Sequence, residues 1–245
     1  MVIKADIVRD LVVANRILAH EAVVDSYGHV SVRDPERNDR FLLSRSVSPE
    51  QVQTDDVLTF DTRGEPVEAT KTALYSERVI HAAIYRDRPD VHAVVHGHAQ
   101  EVLPFTVTDV RLRPVLHVAA IIGADIPVWD MRDAFGDTDL LVTTMDHAND
   151  LSARLAQNRV VLMRGHGFTA TGISLEHVVR TSYYLKVNAR LQREASALGT
   201  ITFLTQGEVD AAIARMGSMR ATPRVWRNWA IRCGAGNLFS EEVAP

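Results

Sequence analysis

One cysteine, Cys233, stands in 245 residues. That excludes an intrachain disulfide framework and any cysteine-based zinc finger. The chain also lacks a run of roughly 18 uncharged apolar residues, the length a membrane-crossing helix needs, so no membrane partner is expected. Charge of one sign is missing too: 27 Lys and Arg against 31 Asp and Glu leave a formal net charge of −4. Such a balance gives no electrostatic footprint for nucleic acid. The start, Met1-Val2-Ile3-Lys4-Ala5-Asp6, lacks the basic-then-apolar build of a secretory signal, and a cytoplasmic location is the expectation. No internal repeat, low-complexity segment or linker composition interrupts the chain. One domain over residues 1–233 with a loose tail at 234–245 is the economical reading, since 46% hydrophobic and 24% charged residues are ordinary globular values.

What is there reads as alternating helices and short strands. Ile7, Leu11, Ala14 and Leu18 recur at helical spacing and predict a helix over residues 5–21. After the turn residues Asp25-Ser26-Tyr27-Gly28, the alternation His29-Val30-Ser31-Val32-Arg33 predicts a strand. Val30 and Val32 then face the core, while His29, Ser31 and Arg33 share a face that is either solvated or anion-binding. Strands over 40–46 and 57–61 complete a meander. Val79, Ile80, Ala83 and Ile84 predict a helix over 74–86, with Glu77 in its first turn, where the helix dipole favours a carboxylate. Further strands are expected at 126–129, 140–143 and 160–163, and helices over 146–157, 174–198 and 210–215. Pro104 and Pro114 bracket an irregular stretch. Late arginines (Arg215, Arg220, Arg224, Arg227 and Arg232) gather around Trp226 and Trp229, as a docking tail or anion-binding edge would.

The chemistry concentrates in Val94-Val95-His96-Gly97-His98. On a strand, residues two apart point to one side, so both imidazoles converge. A catalytic divalent-metal site takes three protein ligands and keeps a position open. His166, between two glycines in Arg164-Gly165-His166-Gly167 at the end of the apolar run 160–163, is the candidate third ligand. Glycines there would let the backbone approach the cavity closely. Glu77 is the nearby carboxylate, as base or displaceable ligand. His20, His81, His92, His147 and His177 read as surface or helix-face residues, and Tyr183 and Tyr184 as packing residues of the long helix.

The order Ser76-Glu77, Arg88-Pro89-Asp90-Val91, Val94-Val95-His96-Gly97-His98 and Arg164-Gly165-His166-Gly167 resembles the class II aldolase/adducin family from about residue 5 to 205. The resemblance implies an α/β fold, a three-layer α/β/α domain on a largely antiparallel central sheet. It also implies a homotetramer with active sites between subunits, His96, His98 and His166 as metal ligands, and Glu77 as the catalytic carboxylate. The adducin branch is non-catalytic and has lost the metal site, so keeping all four residues argues for an enzyme over a binding module.

Where the family's sugar-phosphate aldolases hold phosphate with small hydroxyl and amide residues, this chain has Tyr27-Gly28-His29, Ser44-Arg45-Ser46 and Tyr75-Ser76. Together with Arg113-Pro114-Val115-Leu116-His117, that pattern is similar to the branch that decarboxylates hydroxylated aromatic or pyridine dicarboxylates, dihydroxyphthalates among them. The resemblance implies a metal-dependent carboxy-lyase of aromatic catabolism acting on a small aromatic carboxylate. Aldol cleavage of a sugar phosphate or hydroxy-keto acid is the alternative. The expected cofactor is one divalent ion per subunit, Zn²⁺ or Mn²⁺ first and Fe²⁺ or Co²⁺ next, because His₃ with oxygen suits all four. Glu77 or His117 would deliver a proton to the ring carbon, and His29, Arg45 and Ser46 would hold the substrate's carboxylates by charge-assisted and bidentate bonds.

Overall fold

Leu11, Ala14, Ile17 and Leu18 are all buried on the first helix, α1 (Val2–His20), as the helical spacing requires. The computed structural model describes residues 2–218 and 223–239, so Arg220 and the end of the expected tail, 240–245, lie outside the described residues. Strands β1 (His29–Arg33), β2 (Arg40–Ser44) and β3 (Val57–Asp61) form the antiparallel meander. Helix α2 (Arg78–Asp87) and strand β4 (Ala93–Gly97) follow. Then come β5 (Val128–Trp129), the short α3 (Arg132–Phe135), α4 (Met145–Leu155), β6 (Val160–Met163) and β7 (Gly167–Gly172). Helices α5 (Leu175–Leu198), α6 (Gln206–Ser218) and α7 (Pro223–Arg232) complete the order.

Among the described residues seven strands make one sheet in the order β3-β2-β1-β4-β7-β6-β5, antiparallel throughout except for the β5–β6 pair. On one face, α1 and α5 bury Leu11, Ile17, Val178 and Leu185 against Val30, Val32, Val95 and Phe168. On the other, α2 and α4 bury Ile80, Ile84, Leu151 and Leu155 against Phe41, Val94 and Val161. Three α/β/α layers result. All five β1 residues are buried, so the His29/Ser31/Arg33 face is not solvated. Arg33 is no anion site: its guanidinium donates to the carbonyls of Val91, Asn38, Tyr85 and Arg88.

Three expectations change. Helix α2 starts four residues later than its apolar pattern suggests, because residues 73–75 lie back along the loop after β2: Ser46 N–H donates to Ala73 O, and the Tyr75 hydroxyl donates to Val47 O. No strand forms at 140–143; Leu140 has φ +66, which an extended strand cannot adopt. Around the late arginines the helix expected over 210–215 is the longer α6, and a helix not expected from the sequence, α7, follows it; Trp229 is buried against Tyr183, and Arg232 pairs with Glu21. Beyond α7, Ala235 is buried and Gly236–Phe239 forms a 3₁₀ turn. Asn188 and Gln192 of α5 stitch down the irregular stretch, bonding the backbone of Arg111, Arg113 and Val115.

Candidate metal centre

The sheet register sets the site. His96 on β4 stands directly across from His29 on β1 and Thr169 on β7. His98 follows at the strand's open end, and the β6–β7 turn carries His166 back over it. Gly165 makes that turn with φ +65. Gly167 has a different task from the one expected: a Cβ there would lie 2.3 Å from Gly97 O, so the glycine serves the close packing of two backbones rather than a cavity. Glu77 occupies the N-cap position of α2.

These elements bring Glu77, His96, His98 and His166 together, with one candidate ligand atom from each lying within 4.8 Å of the others. Each histidine is oriented by an oxygen behind it. The Nδ1 atoms lie 3.1 Å from Phe168 O for His96, 2.9 Å from Asp25 Oδ1 for His98, and 2.8 Å from Leu140 O for His166. Carbonyl and carboxylate oxygens only accept, so each Nδ1 carries the proton and each Nε2 presents a lone pair inward. The Nε2 atoms of His96 and His98 are 3.0 Å apart. Glu77 Oε2 lies 3.4 Å from His96 Nε2 and 3.5 Å from His166 Nε2, while Val142 N–H donates to Oε1 at 2.9 Å.

Four acceptors thus face one another without a donor between them. Such a cluster is stable only around positive charge, either extra protons or a metal cation. The titration shifts agree. Burial raises the Glu77 carboxyl, but His96 and His166 outweigh it and hold it well below the usual carboxylate range. Burial likewise opposes charge on His166, yet Glu77 pushes its pKa up. On fully buried His96 desolvation wins and the pKa falls. Three imidazoles and a carboxylate are a donor set that fits a divalent cation.

The other expected site residues are placed as follows. His29 is buried beside the centre, its ring 5.2 Å from that of His96 and 4.5 Å from that of Tyr75. Arg45 donates through Nε to Asp56 at 2.7 Å, and Ser46 is exposed. His117 is exposed at the start of the 3₁₀ turn His117–Ile122; among the described residues no hydrogen bond, ion pair or ring contact links it to the cluster. Sequence reasoning missed several supports. His81, expected as a surface or helix-face residue, lies on the buried face of α2 and is hydrogen-bonded to His29. Its position one helical turn after Glu77 was the available signal. Asp25 and the backbone groups of Leu140, Val142 and Phe168 carried none.

Residues 9–193 match the model of the class II aldolase and adducin N-terminal domain. The chain belongs to this family. The class II aldolase/adducin chain is 35% identical to decarboxylase tropJ of Talaromyces stipitatus, over 95% of its own length and 96% of the relative's. It is 28% identical to the 3,4-dihydroxyphthalate decarboxylase of Arthrobacter keyseri, over 92% and 93%. Its fold is similar to that of L-fuculose 1-phosphate aldolase from Glaciozyma antarctica, with a TM-score of 0.77 at 20% identity, covering 99% and 93%. Decarboxylase and aldolase relatives together support a lyase-type enzyme acting on a small molecule. Among the described residues no helix is long and apolar enough to cross a membrane.

Proposed function

We propose that this family member is a metal-dependent decarboxylase of a hydroxylated aromatic carboxylic acid of the dihydroxyphthalate kind. The observation that carries the reading is the complete Glu77/His96/His98/His166 cluster, in a chain whose full-length relatives include decarboxylases. In this reading His96, His98 and His166 hold one divalent ion, Zn²⁺ or Mn²⁺, in a cytoplasmic homotetramer. A divalent ion at this place supplies Lewis-acid stabilisation of negative charge on a substrate oxygen.

Glu77, ionised and anchored through Val142 N–H, first acts as base and takes the proton of the ring hydroxyl. The acid so formed delivers that proton to the ring carbon bearing the departing carboxylate. The carbon–carboxylate bond then breaks, its electron pair returns to the ring, and carbon dioxide leaves. His29, Arg45 and Ser46 bind the substrate's carboxylates. Asp56, by holding Arg45 Nε, sets the orientation of the guanidinium edge left for a bidentate pair. His117, exposed in its own chain, is available to the site of a neighbouring copy.

The test is carbon dioxide release from a panel of aromatic hydroxy acids by protein stripped with a chelator and reloaded with Zn²⁺ or Mn²⁺. Release restored by metal is expected. Full activity without metal, or cleavage of sugar phosphates with the aromatic acids untouched, would overturn the reading.

A further inference from the structure

Beneath the metal centre a buried hydrogen-bond chain runs between β1 and α2. Tyr85 Oη lies 2.8 Å from Ser31 Oγ, which lies 2.6 Å from His81 Nδ1; His81 Nε2 lies 2.7 Å from His29 Nδ1. Either direction of donation is possible for each link taken singly. The far end decides for all of them. The Tyr85 phenol is buried against Phe41, with the Arg33 guanidinium 4.8 Å from its ring centroid. Among the described residues, the group within hydrogen-bond distance of the phenol oxygen is Ser31 Oγ. The phenol proton therefore has Ser31 Oγ as its acceptor, and a buried hydroxyl proton left unmade is unfavourable.

The rest follows link by link. Having accepted from Tyr85, Ser31 gives its own proton to His81 Nδ1. Burial pushes the pKa of His81 down to about 3, so the ring is neutral and its single proton sits on Nε2. That proton goes to His29 Nδ1. With Nδ1 accepting, His29 carries its proton on Nε2.

We infer that the Tyr85–Ser31–His81 chain fixes His29 as the Nε2–H tautomer, a hydrogen-bond donor to a substrate oxygen rather than a fourth metal ligand. This sorts the four imidazoles of the site. Carbonyl and carboxylate oxygens behind His96, His98 and His166 expose lone pairs, whereas the phenol-terminated chain leaves His29 with an N–H and no lone pair to coordinate. Tyr85, Ser31 and His81 are positioning residues acting through His29. The donor role rests on the decarboxylase reading for the nature of the oxygen, a carboxylate or phenolate; the tautomer does not.

Long-range ¹H–¹⁵N correlation spectra of the full-length, histidine-labelled protein, as purified and after zinc loading, test the tautomer, with His29 assigned through His29→Gln. The expected pattern has Nε2 protonated and Nδ1 bare on His29 and His81, and in Tyr85→Phe a share of His29 shifts to Nδ1–H. An Nδ1–H pattern for His29 in the wild type, or a Tyr85→Phe spectrum identical to it, overturns the inference. In turnover, Tyr85→Phe should raise KM for the aromatic acid about three- to tenfold, the scale of one neutral hydrogen bond, with kcat changed less. An unchanged KM overturns the donor role. If no aromatic acid is turned over while the tautomers are as expected, the decarboxylase reading falls and the tautomer assignment stands.

Discussion

Asp25 offers nothing to the interior of the candidate metal centre, yet it decides which face His98 presents. Its Oδ1 accepts from the backbone N–H groups of Tyr27 and Gly28 as well as from His98 Nδ1. Burial raises its pKa, but these bonds, led by that from His98, outweigh it, so the carboxylate stays charged. Asp25→Ala should therefore weaken metal binding about 10- to 100-fold, as loss of a partner behind a ligating histidine does; competition with a chromophoric chelator measures it, and unchanged affinity would contradict the role. Glu77→Gln separates binding from chemistry. It should keep bound metal while kcat falls about 10²- to 10⁴-fold, the usual worth of a general acid–base, checked by metal analysis alongside turnover. At this scale the imidazoles and Glu77 were legible because only their side chains can do such chemistry. The oxygens of Leu140 and Phe168 were not, since every residue type carries a carbonyl.

Elements with clear local signals were read correctly: α1 and β1 from their periodicity, α5 from its Ser174 cap and Gly199 stop, and β6 from its continuous apolar run. One misread stretch has its backbone committed to the site. The apolar pattern at 140–143 does not become a strand because Leu140 O and Val142 N–H turn toward His166 and Glu77 instead of toward a neighbouring strand. Strand β7, short and bounded by Gly167 and Gly172, was not expected from the sequence and is defined by its pairing with β4 and β6. Gly167 makes this pairing possible. In Gly167→Ala the new methyl would meet Gly97 O at 2.3 Å and His98 Cδ2 at 3.0 Å. Backbone cannot yield there as a side-chain tip would, so β4 and β7 must separate. The expected cost is about 1–3 kcal/mol in denaturant unfolding, together with weaker metal binding because His98 shifts. A variant as stable as the wild type would mean that the strands stand further apart.

For the molecule as a whole, the half-buried His177 of α5 makes stability sensitive to acid. Burial, then the cations of Arg159 and Arg180, lower the pKa of His177 from 6.5 to about 4. Between these values the unfolded chain binds a proton that the folded chain refuses, so the contribution of His177 to stability falls as pH drops from about 6.5 toward 4 and is fully present above that window. Urea midpoints measured across this range should decline with acid, and His177→Gln should flatten the decline; parallel curves would remove His177 as the cause. The centre also has a kinetic consequence. Its parts come from residues 25, 77, 96–98, 140–142 and 166–168, joined by contacts that span 73, 65 and 26 positions of chain. Nothing local resembles it, and contacts of such long span close late in folding. Capture of the cation is thus a report that the whole chain has found its topology: in a refolding experiment, metal uptake should trail the return of helical signal, and free metal should slow unfolding more than it speeds folding.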